Sequence, residues 1–157
     1  MSVREGLEFD TELESDTAAL NHTVIALIEE FGNAIHLLKD PTRGGVATVL
    51  NEVARDTQLG VNLQQSAIPV DEQVYGACEL LGLDPLYVAN EGLFMAFVAG
   101  DQADAVLKKL KQLPYGSDAA IIGEVVTAHP RQVVLTSSIG GRRVVNMMLG
   151  EQLPRIC

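Results

Sequence analysis

No Trp occurs among the 157 residues, the aromatics are three Tyr and four Phe, and 11 Lys and Arg stand against 21 Asp and Glu. A chain of net charge −10 lacks the basic stripe that a phosphate backbone requires and the aromatic faces on which bases stack, so nucleic acid is not an expected partner. Cysteine is equally scarce. Cys78 and Cys157 cannot build a disulfide framework, and without a CxxC or a Cys/His cluster no metal ligands are assigned. Long apolar runs are missing too: stretches such as Leu93–Ala99 fall far short of the roughly 20 residues that cross a bilayer. The first residues, Met1-Ser2-Val3-Arg4-Glu5-Gly6, show neither the apolar core nor the cleavage site of a secretory signal. The expectation is a soluble, cytoplasmic chain without membrane association.

What is present is enough for a core. Apolar residues make up 47% and charged residues 20%, and the length suits one domain. Ser15-Asp16 supplies cap chemistry for a helix over about Thr17–Phe31, which Gly32 stops. Ala34–Leu38 has strand length and runs into Lys39-Asp40-Pro41-Thr42-Arg43-Gly44-Gly45. Beyond that loop Val46, Val49, Leu50 and Val53 fall at helical spacing. Val61–Leu63 reads as a short strand, and Pro69-Val70-Asp71 opens a helix through about Leu81 with Gly82 behind it. Leu86–Ala89 and Leu93–Val98 flank the turn-like Asn90-Glu91-Gly92. Asp101 is the expected cap of a helix with Ala105, Val106, Leu110 and Leu113 on one face. Ala119–Val126, Gln132–Thr136 and Arg142–Met147 are β-type, joined by His129-Pro130-Arg131 and by the hairpin signal Ile139-Gly140-Gly141. Helix-alternating and hairpin-connected strands together predict an α+β domain over residues 1–148, with a mixed sheet and helices packed on it. Residues 149–157, with a Gly, a Pro and no period, are expected to leave the body as a mobile tail.

Three features could carry chemistry. Glycines at a helix N-terminus let backbone N–H groups approach an anion, and the dipole and Arg43 favour negative charge there. Residue types alone leave the loop open between phosphate contact and a tight strand-to-helix turn, since it matches neither the dinucleotide fingerprint nor the P-loop. Glu91 is either a carboxylate fixed at a sheet rim or a solvated turn acid. The thiols differ: Cys78 shares a helical face with Val74, Ala77 and Leu81 and reads as a buried apolar side chain, whereas Cys157 is the last residue. There it is either an accessible group delivered to a site or partner, or an ordinary chain end. His22, His36 and His129 form no set with ligand spacing.

Four segments together, Asp40-Pro41-Thr42-Arg43-Gly44-Gly45, Tyr87-Val88-Ala89-Asn90-Glu91-Gly92, Ile122-Gly123-Glu124-Val125 and the terminal Pro154-Arg155-Ile156-Cys157, resemble the hydrogenase maturation factor HypE family. The resemblance covers the chain as the C-terminal half of that family's two-domain protein, a member of the aminoimidazole ribonucleotide (AIR) synthetase-like, or PurM-like, superfamily. It implies that Cys157 receives a carbamoyl group from the carbamoyltransferase HypF. ATP-dependent dehydration then turns the thiocarboxamide into a thiocyanate, and the cyanide passes to iron on the HypC–HypD scaffold for a [NiFe]-hydrogenase. It puts Glu91 in the base role and Thr42, Arg43, Gly44, Gly45 and Asn90 at the nucleotide. It further implies that an N-terminal domain with most Mg-ATP ligands and the homodimer interface is absent here, leaving a folded but inactive half. Two alternatives are another ATP-dependent enzyme of the superfamily, such as a selenophosphate synthetase, and a non-catalytic thiol carrier or docking module.

Overall fold

The computed structural model describes residues 17–147, and these form the α+β arrangement expected. In chain order the regular elements are α1 (Asn21–Phe31), β1 (Ile35–Lys39), α2 (Gly45–Thr57), β2 (Gly60–Gln64), α3 (Glu72–Leu81), β3 (Met95–Val98), α4 (Ala103–Leu110), β4 (Gly123–Val126), β5 (Val133–Thr136) and β6 (Arg142–Val145). The strands fall into two sheets. β1 and β3 pair antiparallel, and the other four lie in the order β4-β2-β5-β6 with β2 and β5 parallel and the remaining pairs antiparallel.

Local chemistry accounts for several boundaries. Asp71 caps α3, its Oδ1 accepting the Gln73 N–H at 2.8 Å, and Gly82 ends it in the left-handed region with its N–H on the Cys78 and Glu79 carbonyls. The β5–β6 hairpin closes where the glycine pair lies, Ser137 donating to the Gly141 carbonyl at 2.7 Å. Other expected boundaries move. Helix α1 begins at Asn21, not Thr17; Leu20 at its N-cap has no acceptor side chain, and Ser15-Asp16 lie outside the described residues. Asp101 does not cap α4, because Gly100–Gln102 forms a 3-10 turn that places Gln102 at the cap; Val106 points inward while Ala105 is exposed. Leu86–Ala89 contributes a 3-10 turn at Pro85–Tyr87, opened by Asp84 Oδ1 accepting the Leu86 N–H at 3.0 Å.

The core lies between α2 and the four-stranded sheet. Ala47, Val49, Leu50 and Ala54 of the helix meet Val61, Leu63, Val133, Leu135 and Val145, with Leu86 and Met95 closing the side towards the two-stranded sheet. Because β2 is flanked by β4 and β5, the connection between those two passes over the start of β2. Arg131 N–H reaches the Leu59 carbonyl at 2.8 Å, and the space a Gly60 Cβ would need is taken by the Ala128 and His129 backbone and ring. This architecture fixes α2 by its apolar face and so fixes the loop that precedes it.

Candidate active site

Helix α2 starts on two glycines in the left-handed region, Gly44 at φ 67° and Gly45 at φ 63°. Its N-cap makes no side-chain hydrogen bond and its first turn holds no acidic residue. No carboxylate of its own helix therefore competes at the first N–H groups, which suits an anion. Arg43 is exposed beside them, Thr42 is half-buried, and Pro41 is fully buried and anchors the loop.

Gly45 also has a steric reason to be glycine. A Cβ there would stand 2.5 Å from the Leu86 carbonyl oxygen and 2.6 Å from that of Val88, so the loop and the 85–88 segment touch backbone to backbone. The same two segments are tied again by the Asn90 N–H, which donates to the Pro41 carbonyl at 3.1 Å. Asn90 Nδ2 donates to the Val88 carbonyl at 2.9 Å, folding Asn90 back on its own segment and presenting Glu91 at the turn. Thr42-Arg43-Gly44-Gly45 and Asn90-Glu91-Gly92, separated by more than forty residues in sequence, are therefore neighbours. Glu91 and Arg43 are both exposed.

Two depressions among the described residues are lined by neither the glycine loop nor the Glu91 turn, one of about 550 Å³ between the end of α1 and Ala99, Asp101 and Gln102 ahead of α4, the other of about 230 Å³ lined by Tyr75, Cys78, Asp84 and Arg143. The residues present fit the phosphate end of a nucleotide, through a helix N-terminus without a side-chain cap and an exposed arginine. Among the described residues no group of three His, Cys, Asp or Glu could hold a metal ion. His22 and His36 are exposed, and His129 Nε2 lies 2.8 Å from Asn62 Oδ1.

Of the two thiols, Cys78 takes the buried position expected of it. Cys78 is buried on α3, and burial first, then the Asp84 charge, raises its pKa above the ordinary thiol value. A raised pKa favours the protonated, unreactive form. Iodoacetamide at pH 8 is expected to leave Cys78 unmodified in the folded chain and to alkylate it fully in urea, as peptide mass mapping would read; rapid native labelling would contradict this. Cys157 lies outside the described residues. Sequence reasoning missed Asp84, which caps the turn leading to Glu91 and pairs with Arg143 Nη2 at 2.5 Å. The Asp84-Pro85 dipeptide, a turn-initiating pair, was the available signal.

The family described as AIR synthase related protein, C-terminal domain, matches residues 1–135. The carbamoyl dehydratase HypE of Bradyrhizobium diazoefficiens is 50% identical over 157 residues, covering 100% of this chain and 45% of that protein. Among solved structures, a hydrogenase maturation protein HypE superposes with TM-score 0.92 at 46% identity, over 99% of this chain and 50% of the other. A HypE structure in complex with ATP gives TM-score 0.91 at 45% identity, over 99% and 48%. A HypE–HypF complex gives 0.86 at 42%, over 92% and 47%. The chain thus spans about half the length of the relatives it matches. On the family match, the identity and the superposed folds together, this chain belongs to the AIR synthase related family as its C-terminal domain, and its likeness within that family is to HypE.

Proposed function

We propose that this chain is the cysteine-bearing part of an ATP-dependent carbamoyl dehydratase. The observation that carries the reading is the joining of the glycine loop to the Glu91 turn through Gly45 and the Asn90–Pro41 hydrogen bond. It brings an anion-favouring helix start and a carboxylate to one place, as a phosphoryl-assisted dehydration requires.

On this reading the Cys157 sulfur takes a carbamoyl group from HypF, a partnership supported by the likeness to the HypE–HypF complex. The carbonyl oxygen of the resulting thiocarboxamide is a poor leaving group. Transfer of the γ-phosphoryl group of ATP to that oxygen lets it depart as phosphate; the C–O bond breaks, the two nitrogen protons are lost, and the C≡N bond forms. Glu91 acts as the base for the N–H protons. Thr42, Arg43, Gly44, Gly45 and Asn90 hold the phosphates, in keeping with the likeness to HypE in complex with ATP. The products are an S-bound nitrile, ADP and phosphate; passing that nitrile as cyanide to iron on the HypC–HypD scaffold for a [NiFe]-hydrogenase breaks the S–C bond, returns Cys157 as the thiolate and takes two electrons from a reductant on the acceptor side. Mg²⁺ and most of its ligands, and the homodimer interface, belong on this reading to the part of HypE proteins beyond these 157 residues. Because most of the Mg-ATP ligands lie on this reading outside these residues, the 157-residue chain alone is expected to fold yet hydrolyse no ATP above background; steady phosphate release by the purified chain would refute that.

The direct test is intact mass spectrometry after incubation with HypF, carbamoyl phosphate and ATP, with this chain embedded in a full-length HypE-type protein. Wild type should gain about 43 Da, one carbamoyl group on a nucleophilic side chain, and then lose about 18 Da as the ATP-dependent dehydration proceeds, whereas Cys157→Ala should gain nothing. Equal modification of both proteins would remove Cys157 from the mechanism.

A further inference from the structure

We propose that Thr48 is a further nucleotide-binding residue of this site, its hydroxyl donating a hydrogen bond to a phosphate oxygen held at the start of α2. The inference rests on the nucleotide reading given above and adds one contact to it. Thr48 stands in the opening turn of the helix, its N–H on the Gly44 carbonyl at 3.2 Å. Helical side chains lean towards the N-terminus of their helix, and this one reaches the glycine pair. A Cβ added to Gly44 would lie 2.1 Å from Thr48 Oγ1, so the hydroxyl sits directly against the residue that caps α2.

The same hydroxyl is unused within the protein. A threonine inside a helix commonly returns its hydroxyl to the carbonyl one turn back, and Thr57 at the far end of α2 does so, donating to Val53 at 2.7 Å. Asn51 Nδ2 likewise takes the Ala47 carbonyl at 2.8 Å. Thr48 Oγ1 has no hydrogen-bond partner among the described residues. Nor is it sealed in. The buried side-chain polar atoms that lack a partner among the described residues are His129 Nδ1 and Ser137 Oγ, whereas Thr48 is half-buried and its hydroxyl is open to solvent. Gly44 makes this possible: it supplies the left-handed φ of 67°, and it leaves empty the space that any Cβ would take from the hydroxyl.

The surroundings select the ligand atom. The helix start offers backbone N–H groups with no acidic residue in the first turn, and Arg43 beside them can only donate. A free hydroxyl in that company adds a donor of the same sense. Its fitting partner is a charged oxygen, which makes the stronger class of hydrogen bond.

The experiment measures ATP affinity by calorimetry in the full-length HypE-type protein carrying this chain, as wild type, Thr48→Val and Thr48→Ser. Thr48→Val keeps the branched shape and removes the donor, so the ATP Kd should rise roughly 10- to 100-fold, the range for a hydrogen bond to a charged group. Thr48→Ser keeps the hydroxyl and should stay within about threefold of wild type. The urea midpoint of Thr48→Val should match wild type, because the hydroxyl holds nothing inside the protein. Unchanged ATP affinity in Thr48→Val overturns the proposal. So does a Thr48→Ser as weak as Thr48→Val, which would assign the loss to the methyl group, or a Thr48→Val whose urea midpoint falls together with its affinity, which would mark a structural role. If the wild-type protein binds no ATP, the nucleotide reading itself falls, an outcome distinct from the others because it is scored before any variant is compared.

Discussion

Gly45→Ala should lower the unfolding free energy by about 2–5 kcal/mol, the sum of placing a side chain in the left-handed region and forcing it into an occupied space. The neighbours are the Leu86 and Val88 carbonyls, which cannot rotate aside as a side chain would. Relief requires the 85–90 segment to move, and that movement breaks the Asn90–Pro41 hydrogen bond that joins the two halves of the candidate site. Gly82→Ala supplies the control. Gly82 has φ 65° but nothing within 4 Å of its would-be Cβ, so only the conformational cost of about 1–2 kcal/mol applies. Urea titration of the two variants reads the difference as a shift in midpoint at unchanged slope. Equal midpoints would mean that the close approach at Gly45 carries no energy.

The second large effect is kinetic. Glu91→Gln preserves size and replaces the proton acceptor by an amide, so dehydration of carbamoylated Cys157 should fall by about 10²- to 10⁴-fold, the usual worth of a general base. The experiment again needs the full-length HypE-type context. Loading of Cys157 should be unaffected, since the donor reaction does not use Glu91. A urea titration of the same variant separates a catalytic loss from misfolding. Survival of ATP-dependent dehydration in Glu91→Gln would favour the docking reading, in which Cys157 is merely presented to partners.

The features legible in the sequence are those set by chemistry within a few residues. Asp71 and Gly82 bracket α3 as an N-cap and a left-handed terminator should, and the glycine pair at 140–141 marks the β5–β6 hairpin. Periodicity found α2 because its inner face is strongly apolar, while Asp101 misled because a 3-10 turn intervened and moved the cap position to Gln102. Strand partners are set by long-range packing, so the separation of β1 and β3 into their own sheet had no local signal. The site was legible as two motifs but not as one place. Nothing near Thr42 or Asn90 in sequence announces that Gly45 lies against Leu86 and Val88, a contact that exists only once α2 and the Pro85–Tyr87 turn pack on the same core.

The position of β2 between β4 and β5 also governs the order in which this chain can fold. Neither neighbour can join β2 through a tight hairpin, and its parallel partner β5 puts Val61 opposite Val133, so the sheet must wait for distant segments to meet. During synthesis at about 5–20 residues per second, the apolar faces of α2 and β2 emerge several seconds before the strands that cover them. The β5–β6 hairpin, being local, can form first and receive β2 as a ready edge. Substitutions that loosen that hairpin should therefore slow folding and increase aggregation during expression, even where the finished domain is scarcely weakened.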